Sequence, residues 1–389
     1  MSDLPKKRIL ILDGQAVQTL IVAKQLISHN YEVYLLCDDK WTYGYHTRYA
    51  HRAVIAPSIH DYETYKRYLI RFISENKIDV LIPMTDESAR FLSLEKAVLL
   101  PLVSYIMPDI SVFERGYDKQ QLMALCAANS YPHPQTIDLE ADLGAVARFA
   151  YPALIKPNHM TGGRGMTVVN SFEEFNKIYP AIRETYGPCH LQEFIPEGGR
   201  QLKVQLFISF NGQVVASSVI HKQRFYPENG GSSCCNVTIK DDTLIKLCAD
   251  VLKKIGWIGF ADFDLIEDPR DEVIKIMELN PRIPACIKSA IESGADYATL
   301  IADASLGLPL VYSNYIPGHQ LRHIGFEVLW FIYSANRFKT APNWFRFWGR
   351  NLSFQDFSWS DPMPFFFGTI GNLKKQLNPK FRKAKSGLR

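Results

Sequence analysis

A lysine closing a β-type run, with a glycine cluster just beyond it, is the first arrangement in this chain that could do chemistry. Residues 153–156 read Ala-Leu-Ile-Lys and end on Lys156, and Gly162, Gly163, Arg164, Gly165 and Met166 follow closely. Glycines let backbone N–H groups approach phosphate oxygens, and a lysine ammonium adds a point charge in the same place. The pattern is not the Walker loop, because no Gly-Lys-Ser/Thr follows and the lysine comes first. A second arrangement is Asp264 with Glu278, Asn280 and Arg282. Residues two apart on a strand share a face, so a carboxylate, an amide oxygen and a guanidinium are presented together. Hard oxygen donors of this kind suit Mg2+ or Mn2+, which keeps waters and shares its remaining positions with phosphates. Asp262 lies two residues before Asp264 on the same face; either can be the first ligand, and the spacing favours Asp264. Between the two arrangements lie Lys203 and a basic, then glycine-rich stretch that includes Lys222, Arg224, Gly230, Gly231 and Ser232. Lys222 and Arg224 suit an anionic acceptor or a transferring phosphoryl group, and the glycine turn would add N–H donors. Each string has a structural alternative, a plain hairpin turn or scattered surface charge, so their order along the chain carries the weight.

Holding these groups requires strands. Runs at 9–12, 33–37, 53–56 and 79–83 are strand-like and alternate with helical spacing over 17–28 and 61–76, and a further helix is expected from Asp86. That alternation predicts a small open parallel sheet over about the first 110 residues. The lone Gly14 after the first run falls far short of a dinucleotide-binding loop. A helix at 120–129 and the turn residues at 131–134 open a second region, in which strands are expected at 151–156, 190–195, 202–210, 214–221, 260–266 and 273–279. Asn211-Gly212 is the strongest hairpin signal among them. The last seventy residues are crowded with aromatic side chains and end in a basic tail. They fit either an appendage packed on the core or a surface for a membrane or a protein partner.

The chain has 389 residues, 47% hydrophobic and 22% charged, which is long enough for two or three packed domains. A net charge of +4 with interspersed signs gives no reason to expect nucleic acid as a partner. Seven cysteines in no metal-ligand spacing, an odd number, argue against a complete disulfide framework and fit a cytoplasmic protein. No apolar run reaches the roughly 18–20 residues of a membrane span.

Taken in order, the motifs resemble those of the ATP-grasp superfamily, especially its carboxylate–amine ligases and carbamoyl-phosphate-synthase-like members. Asp118-Lys119 resembles the opening lysine of the grasp module, Lys156 its second lysine, and residues 162–166 its phosphate lid. Gln192-Glu193-Phe194-Ile195 resembles the hinge that meets adenine. Gly256-Trp257-Ile258-Gly259, just ahead of Asp264, resembles the approach to the first metal carboxylate, and Glu278-Leu279-Asn280-Pro281-Arg282 the metal-binding E-x-N-x-R. Where family members often carry an acid for the ribose hydroxyls, this chain has Gly199 and Arg200, and Glu197 is the nearest substitute. The resemblance implies a mixed α/β and α+β fold. A pre-ATP-grasp domain at 1–112 would precede a two-part ATP-grasp domain at 113–315, with a lid part near 118–191 and a metal and substrate part near 192–315, and an aromatic-rich extension at 316–389. It further implies ATP with two Mg2+ or Mn2+ ions at Asp264, Glu278 and Asn280, and nucleotide contacts from Lys119, Lys156, Lys203, the lid and the hinge. The expected reaction activates a small-molecule carboxylate as an acyl phosphate for attack by an amine, with Arg282 and Arg224 as catalytic cations. A homodimer is compatible with it. So are two other readings, a small-molecule kinase and an ATP-binding regulatory scaffold, whereas a full carbamoyl-phosphate synthase would need a second module.

Overall fold

The computed structural model describes residues 6–159, 164–228 and 232–377, and contacts divide the chain into two units. Unit 1 comprises Met1–Phe113, Lys203–Asp262 and Asn280–Asn372; unit 2 comprises Glu114–Leu202, Phe263–Leu279 and Leu373–Arg389.

Fifteen strands order the described residues. In sequence they are β1 Arg8–Ile11, β2 Glu32–Cys37, β3 Arg52–Ile55, β4 Val80–Ile82, β5 Thr136–Asp138, β6 Ala153–Pro157, β7 Thr167–Val169 and β8 Cys189–Glu193. Then come β9 Gln201–Ile208, β10 Val214–Tyr226, β11 Ser232–Ile239, β12 Gly259–Glu267, β13 Ile274–Asn280, β14 Gln320–Arg322 and β15 Leu352–Phe354. The first four form a sheet in the order β3-β2-β1-β4, parallel throughout, as the alternation of short strands and helices requires. Helices Thr19–Ser28 and Tyr62–Asn76 connect them.

Within unit 1 the parallel sheet is buried as continuous apolar runs: Ile9, Ile11, Val33, Leu35, Val80 and Ile82 share one core with Phe207, Val215 and helix Tyr297–Ser305. Asp13, just past β1, is buried and accepts from the backbone N–H groups of Met84 and Thr85 and, at 2.5 Å, from the Ser88 hydroxyl. It thereby pins the start of helix Asp86–Leu94, which Thr85 caps. Gly14 is demanded by packing, since a Cβ there would lie 2.4 Å from the Cys37 sulfur. That accounts for this glycine without any ligand.

Unit 2 holds the sheet β5-β8-β6-β7. Its pleat separates two environments. Ala153, Ile155, Cys189 and Leu191 face a core with Phe175, Tyr179 and Ile182, while Lys156, His190 and Gln192 alternate to the opposite face. A third sheet has the order β13-β12-β9-β10-β11-β14-β15.

Most expected elements are present, and Asn211-Gly212 forms the β9–β10 turn with Gly212 at φ 77°. Strand β10, however, continues to Tyr226, past the expected end at 221, because β11 pairs with it across a bulge near Lys222 and Arg224. Helices Phe172–Tyr186 and Asp242–Ile255 were not among the expected elements, although Ser171 and Asp241 cap them and their apolar residues keep helical spacing. All seven cysteines are free and buried. No helix among the described residues is long and apolar enough to cross a membrane.

Candidate active site

In unit 2 the polar face of the small sheet gathers the lysines. Lys156 lies opposite His190 in the β6–β8 register, with Gln192 on the same face, and donates from Nζ to Gln192 Oε1 at 3.0 Å. The other amide atom of Gln192, Nε2, is buried and has no hydrogen-bond partner among the described residues. Lys119 opens helix Lys119–Ala128, capped by Asp118, and its Nζ is 3.7 Å from Glu278. Burial pushes the Lys156 pKa down to about 8; Lys119 adds to this, and the carboxylates of Glu278 and Asp264 oppose it. His190 is held neutral by burial and by both lysines, and its Nδ1 donates to Asn158 Oδ1 at 2.8 Å. The Asn158 carbonyl in turn accepts from the Lys119 backbone N–H at 3.4 Å. Asn158 thus links His190, the register partner of Lys156, to the backbone of Lys119, a connection that no motif signals.

Strand β8 ends at Glu193, whose carboxylate is taken by Arg270 and, at 3.3 Å, by Lys275. Arg270 and Lys275 also grip buried Asp268 and hold its carboxyl well below the usual range. This ties Glu193 into the β12–β13 turn, and Phe194 and Ile195, partly buried, follow it. Glu197 is exposed. Gly165 has φ 73°, and a Cβ would fall 2.8 Å from both Pro157 and Tyr186, so only glycine fits. Arg164 and Met166 flank it; Gly162 and Gly163 lie outside the described residues, as do Gly230 and Gly231.

In unit 1 Lys203 donates to Asp262 at 2.5 Å, and Asp262 is fully buried. Asn280 Nδ2 is 3.4 Å from the Asp262 carbonyl. Arg282 Nε is 2.8 Å from Asp86, a buried carboxylate in the first turn of helix Asp86–Leu94. The buried Gln18 amide bridges the carbonyls of Met84 and Ile283, fixing the backbone next to each of these two residues. Asp86 and Gln18 were not among the candidate residues; both stand far from Arg282 in sequence, and only folding brings them to it.

Arg224 departs from the expectation of a catalytic cation. It is buried, donates to Glu327 at 2.6 Å and to the Pro342 carbonyl at 2.6 Å, and lies beside Trp330. Arg322 donates to the same Glu327 oxygen at 2.9 Å. Lys222 is partly buried on β10 opposite Asn236, and Ser232 is exposed at the start of β11. Among the described residues no three His, Cys, Asp or Glu side chains converge as a metal cluster. Asp264 and Glu278 supply two carboxylates, and an ion held there would complete its shell from an amide oxygen, phosphates and water, as Mg2+ does.

Residues 118–311 match the family described as carbamoyl-phosphate synthase L chain, ATP binding domain. Among curated relatives, D-aspartate ligase of Enterococcus faecium is 25% identical over 231 residues, covering 54% of this chain and 55% of that protein. The carbamoyl phosphate synthase large chain of Methanosphaerula palustris is 22% identical over 349 residues, covering 83% of this chain and 31% of that protein. The chain therefore spans about half, or less, of the length of these relatives. Among solved structures, the biotin carboxylase domain of Hydrogenobacter thermophilus 2-oxoglutarate carboxylase, a dimer with MgADP and bicarbonate, aligns with a TM-score of 0.66 at 15% identity, covering 80% of this chain and 73% of that one. Sequence family and fold agree over residues 118–311, which form a segment of the ATP-grasp family.

Proposed function

We propose that this protein is a Mg·ATP-dependent ligase that activates a carboxylate as an acyl phosphate and joins it to an amine, releasing ADP and phosphate. The observation that carries the reading is the Lys119, Lys156 and Glu278 group inside the matched segment: a buried lysine whose pKa is lowered to about 8 is an ammonium short of negative charge. The phosphates of a nucleotide supply that charge. Lys119 and Lys156 would hold them, with Lys203 as the third cation. The buried Nε2 of Gln192 offers a donor to the nucleotide, and the backbone of Phe194 and Ile195 would edge the base. Mg2+ would sit at Asp264, Glu278 and Asn280, two ions in this reading, and offset charge on the transferring phosphoryl group. The engagement of Asp262 by Lys203 supports Asp264 as the first ligand.

Arg282, oriented by Asp86, would steady the acyl phosphate and the oxyanion formed as the amine attacks. Attack by the amine nitrogen forms the C–N bond, phosphate leaves with the C–O electron pair, and the nitrogen gives up its proton. Lid residues Arg164, Gly165 and Met166 would close over the phosphates and keep water from the intermediate. Lys222 and Ser232 remain candidates for the substrate side, while Arg224 in this reading holds the C-terminal segment. The substrate class named by D-aspartate ligase directs the search to amino acids.

The test is release of ADP and phosphate from the purified chain with Mg·ATP and pooled carboxylates and amines, amino acids first, with Glu278→Gln alongside. Turnover that needs both pools and disappears in the variant supports the ligase. ATP hydrolysis equal in the two proteins, or a phosphorylated product formed without free phosphate, removes it.

A further inference from the structure

We infer that the aromatic surface formed by residues 328–350 docks this protein onto an anionic lipid bilayer. The inference stands on unit 1 alone and does not depend on the ligase reading.

Helix Ile324–Tyr333 presents Val328 and Ile332, four residues apart and both exposed, on one face. The loop after it adds Phe338, Phe345 and Trp348, with Trp348 at 83% and Phe338 at 72% exposure. These rings form one connected patch. Phe331 lies edge-on to Phe338 and Phe345, those two lie nearly parallel, and Trp344 bridges Phe345 to Phe347. Solvent-exposed apolar side chains gathered in this way mark a surface that is covered by something.

The charge around the patch indicates what covers it. Between residues 328 and 355 the chain has Arg337, Lys339, Arg346 and Arg350 and no acidic residue. Residues 316–389 hold twelve lysines and arginines against three acids. All three acids are turned inward: Glu327 to Arg224 and Arg322, Asp356 to His323 and the Ile324 N–H, and Asp361 to Thr47. Among the described residues of this segment the exposed charge is therefore positive; the neighbouring Glu228, also exposed, accepts from the Ser334 hydroxyl at the helix end and leaves the cations in excess. A second copy meeting this face across a two-fold axis would set cations against cations, which is costly. Nucleic acid would stack its bases on ring faces alone, whereas Val328 and Ile332 add exposed aliphatic surface that offers a base no such face. Aromatic rings at headgroup depth with cations toward anionic lipid fit both features.

The patch is also anchored. Arg322 lies 4.2 Å from the centre of the Phe347 ring and donates to the Arg346 carbonyl, while Arg224 holds the Pro342 carbonyl. Buried cations thus fix the loop from beneath, so the exposed rings need no ordering on contact, and less entropy opposes binding.

The experiment is co-sedimentation of the full chain with phosphatidylcholine vesicles, with and without phosphatidylglycerol, at low and raised salt. Two double variants are compared: Phe338→Ala with Trp348→Ala, and Lys339→Glu with Arg350→Glu. The expected result is binding only to the phosphatidylglycerol vesicles, weakened by salt and by about tenfold or more in each double variant. The charge-reversal pair touches only exposed side chains, so it keeps the test valid if the aromatic pair fails to fold. Absence of vesicle binding, equal binding to neutral vesicles, or binding unchanged in both variants overturns the proposal; the last outcome would place any lipid affinity in the basic tail. A native mass that drops from dimer to monomer in the aromatic variant, or DNA retention lost in the charge variant, would assign the patch to a second copy or to nucleic acid and equally overturn it.

Discussion

Two groups of buried charge in this protein are built to opposite ends. In unit 1 Arg224 and Arg322 share one oxygen of Glu327, and both also donate to carbonyls of the loop that follows helix Ile324–Tyr333. In unit 2 Lys156 is as deeply buried, but its hydrogen-bond partner is the neutral amide of Gln192, and burial lowers its pKa although Glu278 and Asp264 oppose the shift that Lys119 reinforces. The first group is held by a carboxylate and by backbone carbonyls of the chain itself, and it serves the fold. The second keeps a charged form that burial disfavours, which makes sense if an anion arrives to complete it.

The sharpest way to break this comparison is Glu327→Ala. It leaves two buried guanidinium groups uncompensated and should cost about 3–5 kcal/mol, seen as a large fall in the denaturation midpoint. A midpoint within error of the parent would mean that the group is not structural. Next in size, Glu278→Gln should lower ADP release about a hundredfold or more while leaving the midpoint almost unchanged. A variant that unfolds as readily as Glu327→Ala would erase the distinction between the two groups.

Lys156→Met should do two opposite things: weaken ATP binding and stabilise the unliganded protein by up to about 3 kcal/mol at neutral pH. The sign follows from the lowered pKa. Between about 8 and the ordinary lysine value the unfolded chain binds more protons than the folded one, so folding stability rises with pH there. The penalty on the parent is thus full below pH 8, and its gap to Lys156→Met should close as pH rises through and beyond 8. Denaturant titrations of both proteins across that range check it, and a pH-independent gap would remove the argument. Smallest of all, Asp118→Ala removes the cap beside Lys119 and should cost about 1 kcal/mol. A loss of nucleotide affinity beyond that of stability would show that the cap also places the lysine.

How much of this was legible beforehand depends on how far each signal reaches along the chain. Strands β6, β12 and β13 announce themselves through apolar alternation, and Lys156, Asp264, Glu278 and Asn280 sit on them at fixed spacing, so their faces follow from the period of two. Helix Phe172–Tyr186 was equally local in its signals, with Ser171 as cap and Phe175, Tyr179 and Ile182 at helical spacing, yet it carries no chemistry to draw notice. Arg224 misled because a basic residue near glycines looks like a phosphate contact. Its partner Glu327 is 103 residues away, and nothing in the local string shows that β10 runs on to bury it.

The sequence by itself determined the family motifs, their order and the parallel character of the first sheet, because each rests on residues within a few positions of one another. Tertiary structure alone decided which charges meet. It paired Asp262 with Lys203, Arg282 with Asp86 and Glu327 with two arginines, and it turned the three acids of the C-terminal region inward. Those outcomes depend on burial and on distance in space, and a charged side chain carries no local mark of the partner that packing will bring to it.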